Sequence, residues 1–311
     1  MTEKVIFDTD PGIDDALALL LLAASPEVEL RAITVTHGNT SQEKCLRNAL
    51  QLVELAGIQE VPVIRGATEP LVKELSVAEE THGDGGLGYA VLPPSTVMAH
   101  STRAHDVIIQ EIEKNPGEIT ILAVGPMTNV ALALLKKPSI AGKLKRIISM
   151  GGAIHYPGNA TPQSEYNVYC DPEAFDIVVK AGIDFTLVPL DVTYQCIFTT
   201  EHLARITSAR DDIKRFIADS TRFYMEFHAS HQDIQGCAIN DPLAAALLLD
   251  PSLVTNRDYF LTIELQSPTS KAKTIVDHYG ALKKSPNAKV AMEVDVVKFM
   301  DLFITRMNSL T

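Results

Sequence analysis

Two hydrophobic rhythms alternate along the first two-thirds of this chain. Short apolar runs rich in β-branched residues occupy 4–8, 29–36, 61–64, 119–124, 146–150 and 185–188, and their length and composition predict buried strands. Between most of them lie stretches patterned as helices, at 14–24, 43–56, 105–114, 128–136 and 173–181. That alternation predicts parallel strands joined by right-handed crossovers, hence an α/β fold with an open, mostly parallel sheet and helices on both faces. The last third departs from the rhythm. Helical patterns at 200–207, 212–228 and 242–249 follow one another, then strand-like runs at 259–265, 273–276 and 289–294, and a closing helix at 296–307. No repeat, low-complexity tract or linker interrupts the chain, which predicts one domain over residues 1–311.

Polar residues cluster most densely where the first strand turns into the first helix. In Val5-Ile6-Phe7-Asp8-Thr9-Asp10-Pro11-Gly12-Ile13-Asp14-Asp15 the apolar run is buried strand and Pro11-Gly12 forces a turn. Side chains alternate along a strand, so Asp8 and Asp10 point to the same side. Asp14 and Asp15 suit the opening of a helix through its dipole, but that argument leaves Asp8 and Asp10 unexplained. Four crowded carboxylates repel one another and take up protons unless compensated. A hard divalent cation bound through oxygen is the natural compensation.

Ligands of open α/β sheets sit beyond the carboxyl ends of the strands, and other polar signals fall at the same edge. His37-Gly38-Asn39 follows the second strand, Gly125-Pro126-Met127-Thr128-Asn129 the fourth, and Gly151-Gly152 with Gly158-Asn159-Ala160-Thr161 the fifth. Asp191 follows the sixth. Each alone is ordinary turn chemistry; their shared edge with the aspartates makes a site.

Composition narrows the partners. A net charge of −12 with no basic cluster excludes nucleic acid and an anionic membrane surface. The longest wholly apolar run, 16–24, is too short to span a bilayer. The four cysteines are scattered without a C-x-x-C pair, and no leader pattern precedes the first strand. The expectation is a soluble, cytoplasmic protein.

The motifs resemble those of a known family. Asp8-Thr9-Asp10-Pro11-Gly12-Ile13-Asp14-Asp15 is similar to the amino-terminal signature of the nucleoside hydrolases, the inosine–uridine-preferring N-ribohydrolases. The likeness continues in order through Gly38-Asn39, His82-Gly83 with Gly86-Leu87, and Val124-Gly125-Pro126 with Thr128-Asn129. Met150-Gly151-Gly152, Gly158-Asn159, Glu165-Tyr166-Asn167, Asp171-Pro172-Glu173-Ala174, Leu190-Asp191-Val192-Thr193 and Asp241-Pro242 complete it.

The resemblance implies calcium-dependent hydrolysis of the N-glycosidic bond of ribonucleosides through an oxocarbenium-like transition state. It implies Ca2+ held by Asp10, Asp15, the carbonyl of Val124 and Asp241, with Asp10 also the base that deprotonates water. It implies sugar contacts from Asp14, Asn39, the carbonyl of Met150, Asn159, Glu165, Asn167 and the calcium-holding Asp241. It also implies a small ribonucleoside as partner and a homodimer or homotetramer. The Asp-x-Asp of the haloacid-dehalogenase phosphohydrolases is the weaker likeness, because Pro11-Gly12 breaks that pattern.

One position departs from the family. The histidine that precedes the late metal aspartate in well-studied members, and helps protonate the leaving base, is here Asn240. Asparagine hydrogen-bonds but is no acid near neutrality. His228, in a region that usually contacts the base, is the candidate substitute, and His82 on a Gly-rich loop is the other. With no tryptophan in the chain, Tyr89, Tyr166 and Tyr224 are the candidates for aromatic surface. The alternative to an enzyme is a ribonucleoside-binding or sensing protein with little turnover, which Asn240 raises and the intact Asp10 and Asp15 oppose.

Overall fold

The computed structural model describes residues 2–311. Twelve strands are present among them: β1 (Glu3–Thr9), β2 (Val28–Val35), β3 (Val63–Arg65), β4 (Ile119–Ala123), β5 (Arg146–Met150) and β6 (Phe185–Val188), then β7 (Ile197–Phe198), β8 (Cys237–Ala238), β9 (Val254–Tyr259), β10 (Leu261–Ile263), β11 (Thr274–Val276) and β12 (Ala288–Val294). Eight form one sheet in the order β3-β2-β1-β4-β5-β6-β12-β9. Every pairing in it is parallel except β12 with β9. The α/β class and the mostly parallel sheet expected from the alternation are therefore present.

Strand order reverses at β1, which has β2 on one side and β4 on the other. Connections leave in opposite directions there, so the two strand ends open a crevice. The first carboxylate-rich turn leaves β1 at that point, and Val124-Gly125 leaves β4 beside it, with the Val124 N–H donating to Asp8 O at 2.9 Å.

Apolar cores cover both faces. One packs under the helices Ile13–Ala23, Gln42–Ala56, Asn240–Ala246 and Val296–Asn308, the other under Ala104–Lys114, Thr128–Lys136 and Pro172–Val179. The helix Ile13–Ala23 is buried from Ile13 through Leu22. It packs against the alanine-rich Asn240–Ala246, whose small side chains admit a close approach. That packing brings Asp241 to the first turn carrying Asp14 and Asp15. Among the described residues no helix is long and apolar enough to cross a membrane.

Several boundaries differ from the periodicity. The run at 259–265 is not one strand: the chain leaves the main sheet after Tyr259 and joins the β10–β11 ribbon at Leu261. Asn287 bridges the break, donating from its backbone N–H to Tyr259 O at 3.0 Å and accepting the Leu261 N–H on Oδ1 at 2.7 Å. The strand expected at 61–64 is Val63–Arg65, the helix at 200–207 ends at Ala204, and the helix at 212–228 runs from Asp211 to Gln232.

Candidate active site

At the end of β1 the carboxylates divide their tasks. Asp15 Oδ1 accepts from the Thr9 hydroxyl and the Asp10 N–H, and Oδ2 from the Gly12 N–H at 3.0 Å and Asn39 Nδ2 at 2.8 Å. Asp15 thus caps the helix and ties it to the loop after β2. Asp10 accepts the Asn39 N–H on Oδ2 at 2.7 Å, while its Oδ1 is buried with no partner. Two glycines make room for it. A Cβ on Gly38 would fall 2.0 Å from an Asp10 oxygen, and one on Gly125 2.2 Å from the other. Asp14 Oδ2 accepts Asn240 Nδ2 at 2.9 Å and the Tyr224 hydroxyl at 3.4 Å. Carboxylate oxygens of Asp14, Asp15 and Asp241 lie within 4.8 Å of one another.

Burial pushes the Asp10, Asp14, Asp15 and Asp241 carboxyls up, and their mutual repulsion pushes Asp10, Asp15 and Asp241 further the same way. Deeper in the strand, Asp8 is pushed up to about 7 by burial, despite the Thr34 hydroxyl and Asn129 Nδ2 on its Oδ1. No lysine or arginine lines the cavity above them. An orphaned carboxylate oxygen and a set of hard oxygen donors without counter-charge fit a divalent cation.

That cavity is walled by Asp14, Asn39, His82, Val124, Met150, Asn159, Glu165, Asn167, His228, Asn240 and Asp241 among others. Of the metal, sugar and leaving-base residues that the family resemblance implies, all line it except Asp10 and Asp15, which lie buried behind that wall; Asp8, Asp191 and Tyr89 do not line it either. On one side Asn167 Nδ2 donates to Val124 O at 2.8 Å and to Met150 O at 3.3 Å. Glu165 takes the N–H groups of Asn167, Val168 and Gly152 at 2.7–3.0 Å, and so caps the helix Tyr166–Cys170 as well as facing the cavity. Asn159 Oδ1 takes the Tyr166 N–H at 2.9 Å.

On the other side stands the helix Asp211–Gln232, with Tyr224, Phe227, His228 and Gln232 on the cavity wall. His228 is 1% exposed rather than at a solvated helix end. Its Nδ1 lies 2.8 Å from Tyr224 O, so that nitrogen carries the proton and Nε2 presents a lone pair. His82 has the opposite tautomer: its Nδ1 accepts the Ile13 N–H at 3.1 Å, which leaves the proton on Nε2. Burial pushes both imidazoles down to about 4, so both are neutral near pH 7. Asn240 donates to Asp14 and keeps its Oδ1 buried and unpartnered.

The inosine-uridine preferring nucleoside hydrolase family matches residues 5–301. The chain belongs to that family. It is 36% identical to the pyrimidine-specific ribonucleoside hydrolase RihA of Citrobacter koseri over 308 residues, 99% of this chain and 98% of the relative. The solved purine-preferring ribonucleoside hydrolase from Gardnerella vaginalis is 35% identical with a TM-score of 0.94 and 99% of both chains covered. A solved inosine-guanosine nucleoside hydrolase is 28% identical, with a TM-score of 0.90 and 99% of both chains covered. This nucleoside hydrolase is thus an enzyme acting on N-glycosyl bonds.

Several wall residues of this nucleoside hydrolase carry no motif signal. Tyr194, Phe227 and Gln232 reach the cavity from a turn and a helix end, where only packing decides which side chain faces in. Of the tyrosines expected to offer aromatic surface, Tyr166 and Tyr224 line the cavity. Tyr89 instead is 44% exposed and donates to Glu226. The histidine tautomers are open to test by 15N NMR across about pH 5.5 to 8. His228 should stay protonated at Nδ1 and His82 at Nε2, with neither titrating. A midpoint near the ordinary 6.5 for either ring would contradict the burial.

Proposed function

We propose that this nucleoside hydrolase cleaves ribonucleosides to free base and ribose with a calcium ion held by Asp10, Asp15, the Val124 carbonyl and Asp241. The observation that carries this reading is Asp10 Oδ1, buried without a partner in a carboxylate cluster that no cation balances. When bound, calcium would supply the charge that makes a neighbouring water more acidic. Asp15 has its lone-pair positions filled by four donors here, so ligation there calls for Thr9 or Asn39 to turn its donor away. Asp10, with one oxygen free, is the base that takes the attacking water's proton. Asp14, Asn39, Asn159, Glu165, Asn167 and the Met150 carbonyl, together with Asp241, pair the sugar hydroxyls. The carboxylates among them favour positive charge developing on the ring as the bond breaks.

The base end of the cavity supports a division between the histidines. His82 offers a neutral Nε2–H and is the donor to the departing base, while the Nε2 lone pair of His228 accepts from the base's N–H edge. We assign to His82, in place of the His228 expected from sequence, a hydrogen bond donated to the departing base from a neutral imidazole N–H. The names of the relatives point to pyrimidine and to purine alike. A cytoplasmic homodimer or homotetramer of one-domain chains, without nucleic-acid or membrane partners, completes the reading.

Reducing-sugar release from a panel of ribonucleosides and their 2′-deoxy analogues tests the substrate class. A site that pairs each hydroxyl leaves buried partners unsatisfied by the deoxy sugar, so kcat/KM should fall by about 10³-fold or more. Comparable rates on both sugars would contradict the assigned contacts. The histidine roles separate on leaving groups. His82→Ala should slow natural ribonucleosides by about 10²-fold while sparing p-nitrophenyl riboside, whose leaving group needs no protonation. His228→Ala should mainly raise KM for natural substrates. The selective loss appearing in His228→Ala instead would return the donor role to His228.

A further inference from the structure

We propose that Asp191 is a positioning residue for the sugar side of the site: its carboxylate clamps residues 154–156 and thereby keeps Asn159 at the cavity. The proposal rests on the reading above that Asn159 contacts the sugar.

Asp191 lies in the short helix Leu190–Thr193 that follows β6, outside the cavity wall. Its Oδ2 accepts the Ile154 N–H at 2.8 Å, and its Oδ1 accepts those of His155 at 2.7 Å and Tyr156 at 3.3 Å. Three successive amides converging on one anion form a backbone nest, and each bond is strengthened by the carboxylate's charge. The flanking amides go elsewhere. Ala153 N–H reaches Thr274 Oγ1 at 3.2 Å, and Gly158 N–H reaches Pro162 O at 3.3 Å. Pro157 has no N–H to give, so the backbone donors from 154 to 156 all end on this one side chain.

The clamped stretch leads directly to the cavity. Tyr156 packs its ring 5.0 Å from that of Tyr194, which lines the cavity, and Asn159 follows three residues later. His155, Tyr156 and Asn159 are themselves exposed, and beside the clamp they are held by surface contacts: the His155 ring stacked on His278, the Tyr156 ring against Tyr194, and Asn159 Oδ1 on the Tyr166 N–H. A segment with few buried contacts opens locally at low cost. Without the carboxylate the loop would populate arrangements in which Asn159 is displaced. The apparent affinity would then fall by the fraction of competent loop, whereas substrate at saturation would restore it. The expected signature is therefore a raised KM with kcat largely kept.

The test uses the full chain with calcium present and compares Asp191→Ala, Asp191→Asn, Asn159→Ala and the Asp191→Ala/Asn159→Ala double variant. Steady-state kinetics on a ribonucleoside are read beside hydrogen exchange of amides 154–156. Asp191→Ala should raise KM about tenfold with kcat within about twofold, and speed exchange at 154–156. Asp191→Asn, with one acceptor oxygen left, should fall between it and the unmodified chain; it carries the comparison if Asp191→Ala does not fold. In the Asn159→Ala background, Asp191→Ala should add nothing to KM, because the residue acts through Asn159. Multiplying KM increases in the double variant would overturn the proposal, as would a raised KM with unchanged loop exchange. An Asn159→Ala variant with unaltered KM would overturn the sugar-contact reading instead, which is a separate failure.

Discussion

The structure depends on keeping negative charge where water is scarce. Asp8, Asp10, Asp14, Asp15 and Asp241 are all 5% exposed or less, at or beside the end of the central strand β1. Carboxylates in such a place lose their hydration and repel one another, so each needs donors or a counter-ion. Donors from the chain fill only part of that need. Asp15 receives four, Asp10 receives one on Oδ2, and Asp10 Oδ1 receives none. What remains is an oxygen-lined deficit of positive charge at the floor of the cavity.

Much of the surrounding architecture follows from that arrangement. The topological switch at β1 opens the crevice, and Gly38 and Gly125 let two loops close on Asp10 where any side chain would collide. The buried helix Ile13–Ala23 carries its acidic first turn against Asn240–Ala246, which delivers Asp241. Several polar residues serve folding and site at once. Glu165 caps a helix while facing the cavity, and Asn39 ties Asp10 to Asp15 while doing the same. Substituting such residues therefore perturbs local structure as well as any ligand contact, and His82, whose Nδ1 takes the Ile13 N–H at the start of a buried helix, shares that double duty.

The parts legible in the sequence are those with a local physical cause. The first strand, its Pro-Gly turn and the helix beyond were readable because burial and turn chemistry act within a dozen residues. The strand ends were readable because parallel sheets gather their polar termini on one edge. Val254–Tyr259 was invisible for a different reason. It is an antiparallel edge strand, and Thr255 through Asp258 are exposed, so it has no apolar run to announce it. The continuous strand expected at 259–265 failed because apolar residues continue through Phe260, while the turn between sheets is made by the distant Asn287. The histidine roles were not readable either. Which ring nitrogen holds the proton is set by Ile13 N–H in one case and Tyr224 O in the other, and sequence does not reveal those partners.

The central claim is that a hard cation completes the carboxylate cluster and that turnover depends on it. The most direct measurement is ribonucleoside hydrolysis by protein stripped of divalent ions, with elemental analysis of the same sample. Activity should be lost on stripping and return with added calcium as about one ion binds per chain. Full turnover by protein shown to contain no metal would contradict the account.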